Sequence, residues 1–476
     1  MKISNSSLLI SLFILLSNTS FAQSEAVLKF LKTKGMAHAS VGISIVNLRN
    51  GEQVDGIQSD QALTPASTLK LVTTASALRF FSPQQKFPTR VSYTGTISGD
   101  GLLNGNLIVY GSADPTLGSE YGLRAQDDFV RRVVAQLAEK GIRKITGSVI
   151  AADFKPGLEG ISPYWTWEDL GNYYAAGSYL LNYGDNKYEL VLDTSRKGQQ
   201  PRVKETRPEM PALRFTNELL PVSYSFDSAY IHGAPYSNER VITGAVPQKG
   251  AEFKIKGDVP DPALFLAQTL TAALRKAAVT VNGVPQTTRL LKRNGKELLG
   301  QGEVLFTYQS DPLNHIVRVT NVRSNNMYAE SLLRFMALEV GNGSHQQGIA
   351  ALKRLWQEAG LDTEALFMFD GSGLAPANRV SASFLTSLLF EMRGDEAFVN
   401  SIPRVGEEGT VAGFLKGTPF QGKGRLKSGS FKNVLSYAGY LQGKESYAIA
   451  ILVNNFTGSN SQLRKAITEL LLALEL

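Results

Sequence analysis

The sequence predicts a multi-domain α+β protein: an antiparallel sheet flanked by helices, assembled from both ends of the chain, with strand-rich domains nested in the interval between. Three observations predict it. Paired strand patterns stand near each end, Ser40 to Asn47 with Glu52 onward, and Val434 to Leu441 with Tyr447 to Val453. Helical apolar spacing accompanies these pairs, while residues 90–260 read mostly as short strands separated by Gly, Asp and Pro turns. A chain of 476 residues, 43% hydrophobic and 19% charged, has the apolar material for two or three domains and too little charge for a disordered protein.

Taken in order, residues 1–22 read as a secretory signal, with Lys2, an apolar run from Leu8 to Leu16 and a small-x-small pattern at Ser20-Phe21-Ala22 that places cleavage after Ala22. That run is too short for a membrane span of ~20 residues, and no such run follows, so a mature chain without a transmembrane segment is expected. Absence of cysteine excludes disulfides, thiolate metal sites, a cysteine nucleophile and a lipoprotein anchor. A large exported protein without disulfides fits the bacterial periplasm. The formal charge is +7, or +6 without Lys2, and no basic block occurs, so nucleic acid is not indicated. An anionic polymer such as a cell wall is compatible with it.

Asn50-Gly51 turns the first strand pair into a hairpin. Helices follow from their punctuation: Leu71 to Leu78 free of Gly and Pro; Phe129, Val130, Val133, Val134 and Leu137 closed by Gly141; Asp261-Pro262 opening a helix to about Lys276; Met327 to Val340; and Ile349, Leu352, Leu355 and Trp356 ended by Gly360. Between them Asn106 to Tyr110, Ile145 to Ala151, Tyr188 to Leu192 and Glu252 to Lys256 read as strands. The chain closes with the second strand pair and a helix from Gln462 to Leu474.

Three short strings can carry chemistry. In Pro65-Ala66-Ser67-Thr68-Leu69-Lys70, Ser67 sits at a helix start with Lys70 one turn on, so the amine can reach the hydroxyl and the unpaired N–H groups can hold an oxyanion. The same spacing also occurs in an ordinary capped helix with a surface lysine. Ser324-Asn325-Asn326 enters a helix, where a hydroxyl and an amide can relay a proton and hold a carbonyl; a plain capping turn has the same residues. Lys427-Ser428-Gly429-Ser430 precedes the last strand pair and should form an edge strand, able to bind a carboxylate and to let a ligand backbone pair beside Gly429. Its bland alternative is a solvated edge lysine. Together, in this order and context, S-x-x-K, S-x-N and K-[ST]-G form the signature of serine acyl enzymes acting on D-Ala-D-Ala peptides or β-lactams.

Other leads fail. Gly417 to Lys423 match a phosphate-loop spacing, but Gly424 stands where a magnesium-binding hydroxyl is needed. His38, His232, His315 and His345 are scattered, which supports neither zinc chemistry nor a histidine triad. Ser372, in Asp370-Gly371-Ser372-Gly373, lacks the nucleophile-elbow pattern and is read as lining a site at most.

Over nearly the whole mature chain the sequence resembles the DacB-type class C low-molecular-mass penicillin-binding proteins, a D-alanyl-D-alanine carboxypeptidase/endopeptidase family. Beyond the three motifs, the similarity rests on the strings Gly111 to Leu117, Trp165 to Ala176, Asp370 to Leu374 and Gly406 to Thr410. The resemblance implies a serine transpeptidase/β-lactamase-like catalytic domain split between residues 23–90 and 300–476, with 91–299 holding two nested insert domains. It implies Ser67 as acylated nucleophile, Lys70 as its base, Ser324 as proton relay to the leaving D-alanine and Asn326 as binder of the substrate amide. Lys427 and Ser428 would hold the terminal carboxylate, and the N–H groups of Ser67 and Ser430 the oxyanion. It implies peptidoglycan stem peptides and β-lactam antibiotics as partners, without metal or organic cofactor. A homo-oligomer is compatible with it.

Three departures stand out. Ser428 replaces the commoner threonine, Asn325 a frequent aspartate, and the Ser-Arg pair often found after Gly373-Leu374 is absent. In the family an arginine there and an aspartate of the insert, here Asp153, grip the free end of a diaminopimelate side chain; Arg379 is the available substitute. Two other functions share these parts. A β-lactamase would need fast deacylation, against which the large insert and the lack of an extra carboxylate base argue. A non-catalytic wall-binding protein would have no use for Lys70.

Overall fold

The computed structural model describes residues 23–153, 160–298, 300–474 and 476. The expected signal segment lies outside them. Among the described residues no helix is long and apolar enough to cross a membrane.

Alternating apolar residues at the two chain ends build one five-stranded antiparallel sheet, in the spatial order Gln53–Ile57, Ser40–Asn47, Ser446–Asn454, Val434–Gln442, Gly424–Phe431. Period-two alternation sends Ile43, Ile45, Ile449, Ile451 and Val453 to one face, where the terminal helices Glu25–Leu31 and Asn460–Ala473 cover them. The opposite face carries Ala438, Ala448, Ala450 and Leu452, on which the helix Ala382–Glu391 packs, with the helices Lys70–Phe80 and Asn326–Val340 in the same core. Lys70–Phe80 is buried on every side from Lys70 to Leu78, as expected for a helix running through the middle of a domain. The sheet and helices expected from the two ends of the sequence are therefore present.

The chain leaves this unit along Pro88–Tyr93 and returns along Glu303–Gln309, two strands that pair antiparallel. They belong to a second five-stranded sheet with Leu107–Tyr110, Val149–Ala152 and Gln286–Thr287, on which the helices Asp128–Glu139 and Pro262–Lys276 pack. Further out, strands between residues 187 and 258 enclose a separate core around Leu190, Ile231, Ile242 and Val246. The Asp261-Pro262 signal is realised closely: the Asp261 carboxylate accepts from the Leu264 N–H and the helix ends at Lys276. One expected strand is divided. Ile145 to Ala151 splits into Lys144–Ile145 and Val149–Ala152, which join different sheets, because Gly147 and Ser148 turn away to donate to the Gly105 carbonyl and the Asn106 side chain.

Where the two regions meet, polar groups are buried. Asp114 accepts from both the N–H and the hydroxyl of Thr116 at 2.7 Å, and Thr116 in turn accepts from the Asp311 N–H. Burial, opposed by the Thr116 bonds and reinforced by Asp311, pushes the Asp114 carboxyl up to about 7. The folded state therefore holds a proton that the unfolded chain releases near pH ~4, so this stabilisation is full below pH ~4 and is lost as pH rises through about 7. Asp114→Asn, which mimics the protonated form, should flatten the decline of Tm between pH 4.5 and 7.5. An equally steep decline in the variant would assign that pH dependence to other groups.

Candidate active site

The site is built where the turn before the central helix meets the edge strand. Ser67 lies in a single 3-10 turn, Ala66–Leu69, that runs straight into Lys70–Phe80, and the turn has no side-chain cap. Ala66 is held at φ 47°, a left-handed conformation that non-glycine residues adopt rarely and mostly at functional sites. Two glycines press on this turn. A Cβ on Gly429 would lie 2.5 Å from the Pro65 carbonyl oxygen and 2.7 Å from the Ser67 nitrogen, and one on Gly373, at φ +78°, would lie 2.1 Å from the Ala66 carbonyl oxygen. A ligand backbone was expected to approach Gly429; the close approach seen is that of the Pro65 to Ser67 turn.

The Lys70 side chain is completely buried, so it is no surface lysine. Its Nζ stands 3.0 Å from Ser67 Oγ, 2.6 Å from Asn326 Oδ1 and 2.6 Å from the Ser372 carbonyl oxygen. Asn326 Nδ2 donates to the Tyr174 carbonyl, which fixes the amide orientation and turns Oδ1 toward Lys70. Burial brings the Lys70 amine down to about 7 against the opposing charges of Asp370 and Glu330. A neutral amine has two N–H groups and one lone pair. Because Asn326 Oδ1 and the Ser372 carbonyl can only accept, they take both N–H groups and the lone pair is left facing Ser67 Oγ.

Lys427 is the second fully buried amine, donating to Ser324 Oγ at 2.9 Å and to the Ser428 carbonyl at 2.7 Å. Burial, and after it the Lys70 charge, lowers it well below the usual lysine range. Among the described residues its strand Gly424–Phe431 ends the sheet beside Val434–Gln442, as expected of an edge, with an isolated bridge between Arg404 and Arg425 on its other side. Ser428 Oγ donates to Thr410 Oγ1, which places the Gly406 to Thr410 string beside this strand. Ser430, next along the strand, is exposed. Ser324 sits at φ 54°, again left-handed, between the helices Leu313–Arg323 and Asn326–Val340. Asn325 accepts from the Tyr328 N–H as the N-cap, so the capping turn and the chemical pair coexist: the middle residue caps while its neighbours face the two lysines.

Sequence reasoning read Ser372 as lining a site at most and did not foresee which of its atoms meets the site. Ser372 touches Lys70 through its main-chain oxygen, Asp370 accepts from Trp165 Nε1, Gly373, Ala375 and Asn378, and Glu330 accepts from the N–H groups of Gly371 and Ser372. Backbone acceptors leave no trace in residue type. The string Asp370 to Leu374 was visible; its contact with the amine was not.

Asp153 and Arg379 are not brought together. Arg379 donates to the Pro376 and Asn378 carbonyls, whereas Asp153 accepts from Thr288 Oγ1. Burial, then the charge of Asp261, pushes the Asp153 carboxyl up to about 6, and the opposing cation is Arg289. Arg289 also pairs with Asp261 at 2.5 Å and lies over the Tyr236 ring. The two tryptophans separate: Trp165 is buried against Leu374, Ala375 and Ala175, while Trp167 is exposed and stacks on His232.

Over residues 23–474 the chain matches the family described as D-Ala-D-Ala carboxypeptidase 3 (S13). It is 26% identical over 446 residues to a D-alanyl-D-alanine carboxypeptidase of Actinomadura sp. strain R39, covering 89% of this chain and 79% of that protein. The D-alanyl-D-alanine carboxypeptidase DacB of Haemophilus influenzae is 25% identical over 438 residues, 87% of this chain and 85% of that one. Among solved structures, penicillin binding protein 4 (dacB) from H. influenzae shares the fold with a TM-score of 0.79 at 22% identity, over 94% of this chain and 98% of that one.

Proposed function

The chain belongs to the D-Ala-D-Ala carboxypeptidase 3 (S13) family, and from that premise we propose a periplasmic serine D,D-carboxypeptidase that cleaves D-Ala-D-Ala bonds of peptidoglycan stem peptides through an acyl-enzyme and also opens D,D-crosslinks. The observation that carries this reading is the buried Lys70 amine, brought down to about 7 and aimed at Ser67 Oγ from 3.0 Å. At neutral pH a large share of it is free base, so it takes the Ser67 proton as Oγ attacks the carbonyl carbon. The N–H groups of Ser67 and Ser430 receive the oxyanion. Ser324 passes a proton to the leaving D-alanine nitrogen and is replenished from Lys427, with which it shares a hydrogen bond. Before deacylation Lys70 releases to solvent the proton it took and Lys427 regains one; Lys70 then accepts a proton from the attacking water and returns it to Ser67 Oγ as the ester bond breaks. The terminal carboxylate lies against Lys427 and Ser428, and Asn326 holds the substrate amide. A β-lactam follows the same path to a covalent adduct.

This reading divides the chain into a catalytic unit, 23–90 and 300–476, and an inserted region, 91–299; the antiparallel pairing of Pro88–Tyr93 with Glu303–Gln309 supports a junction there. Asp153 is assigned to the free amino group of the substrate side chain, with Arg289 and Tyr236 in place of Arg379 as its neighbours.

Mass spectrometry of purified crosslinked muropeptides tests the reading. Pentapeptides should lose their terminal D-alanine and dimers should fall to monomers. Unchanged muropeptides together with turnover of penicillin would identify a β-lactamase, and no change in either a binding protein. In the same assay Asp153→Ala should lower kcat/KM by about 1 to 3 kcal/mol on stem peptides that carry a free side-chain amine, and leave those without it unaffected. An equal loss on both would make Asp153 a support of the fold.

A further inference from the structure

Glu330 is 1% exposed, one turn along the helix Asn326–Val340 from Asn326. Burying a carboxylate is costly unless its lone pairs are filled. Here Oε1 accepts from the Ser372 N–H at 2.7 Å, both oxygens lie 3.1 Å from the Gly371 nitrogen, and Oε2 faces His345 Nε2 at 3.2 Å. Thr73 Oγ1 donates to the Gly371 carbonyl from the other side, so this peptide segment is gripped twice. The carbonyl it presents is the one that takes a Lys70 N–H at 2.6 Å.

We infer that Glu330 is a positioning residue for the Lys70 base: its carboxylate, held by His345, clamps the Gly371 and Ser372 N–H groups and so aims the Ser372 carbonyl at the amine. The inference rests on the acyl-enzyme reading above. With that carbonyl fixed, one N–H of the neutral amine is committed and its lone pair can point only at Ser67. If the loop swings, the amine rotates and loses its aim. Glu330 acts on Lys70 through charge as well, because a buried anion nearby favours the ammonium. The charged groups around this pair are Asp370 from the loop, Arg334 on the same helix, His345 at the start of His345–Glu358, and Lys427 from the edge strand.

The test is the rate of acylation by a fluorescent penicillin against pH, with the noncovalent dissociation constant measured separately, on the full chain. Glu330→Gln should lower the maximal acylation rate about tenfold or more without weakening noncovalent binding. Its ascending limb should move about one pH unit lower, since removal of the anion makes Lys70 easier to deprotonate. His345→Gln, at the largely buried start of the helix His345–Glu358, removes the partner that offsets Glu330 and should move the limb the opposite way. Opposite shifts support the inference, because damage to the fold has no reason to change sign between the two variants. Unshifted limbs, or shifts in one direction, overturn it. If Glu330→Gln does not fold, His345→Gln decides alone: an upward shift with a reduced rate supports the inference and a wild-type profile overturns it. Wild-type protein that takes no label at any pH would instead sink the acyl-enzyme reading beneath it.

Discussion

Ser67→Ala should take up no fluorescent penicillin at any concentration or time at which the wild type is fully labelled, while unfolding within about 1 kcal/mol of it. The first half follows from chemistry: without Oγ no ester can form, and neither Ser324 nor Ser372 is placed to replace it. Ser324 Oγ is bonded to Lys427, and the Ser372 hydroxyl accepts from the Leu374 N–H. The second half follows from how the turn is held. Thr68 Oγ1 and Ser436 Oγ both donate to the Pro65 carbonyl, so the strained Ala66–Leu69 turn is secured without the Ser67 hydroxyl. Lys70 keeps its acceptors at Asn326 and Ser372 and is not orphaned. Labelling of the alanine variant at the wild-type rate would remove Ser67 from the mechanism.

Lys70→Arg and Lys427→Arg should separate by a large factor although the substitution is the same. A guanidinium stays protonated above pH ~12, so at position 70 it can donate to Asn326 and Ser372 yet never accept the Ser67 proton; acylation should fall about a thousandfold or more. At position 427 the inferred task is to donate hydrogen bonds to Ser324 and the substrate carboxylate rather than to accept a proton, which arginine can still do with poorer fit. The measurement is the second-order acylation rate with one penicillin at neutral pH, accompanied by Tm to account for the bulkier group in two fully buried positions. Equal residual rates would contradict separate roles for the two amines.

Much of this arrangement was legible because local rules were obeyed. Asp261-Pro262, the glycines after helices and the paired apolar runs at 434–453 each state their element within a few residues. Ser67, Lys70, Ser324 and Lys427 stood out only from the three strings taken together, since each string alone suits a plain capping turn or an edge lysine equally well. What stayed hidden depends on distant parts of the chain meeting. Burial of Lys70, which lowers its amine to about 7, comes from helices and loops hundreds of residues away. The Ser372 contact runs through a carbonyl that every residue possesses. Asp153 finds Arg289, which no motif marked, and the split of 145–151 between two sheets turns on Asn106 capturing a single N–H.

The pairing of Ser40–Asn47 with Ser446–Asn454 has a consequence for how the molecule comes into being. Ser40–Asn47 is among the first segments to be synthesised, and the central strand of the sheet, Ser446–Asn454, is among the last, so loop closure across almost the whole chain must precede completion of the sheet. The inserted strands pair at shorter range and can fold while the ends are still apart. Until residues 446–454 arrive, the hairpin of Gly424–Phe431 with Val434–Gln442 has no sheet to join. A chain cut before residue 446 is therefore expected to take no penicillin label, because the joining of head and tail is what brings Lys427 up to Ser67.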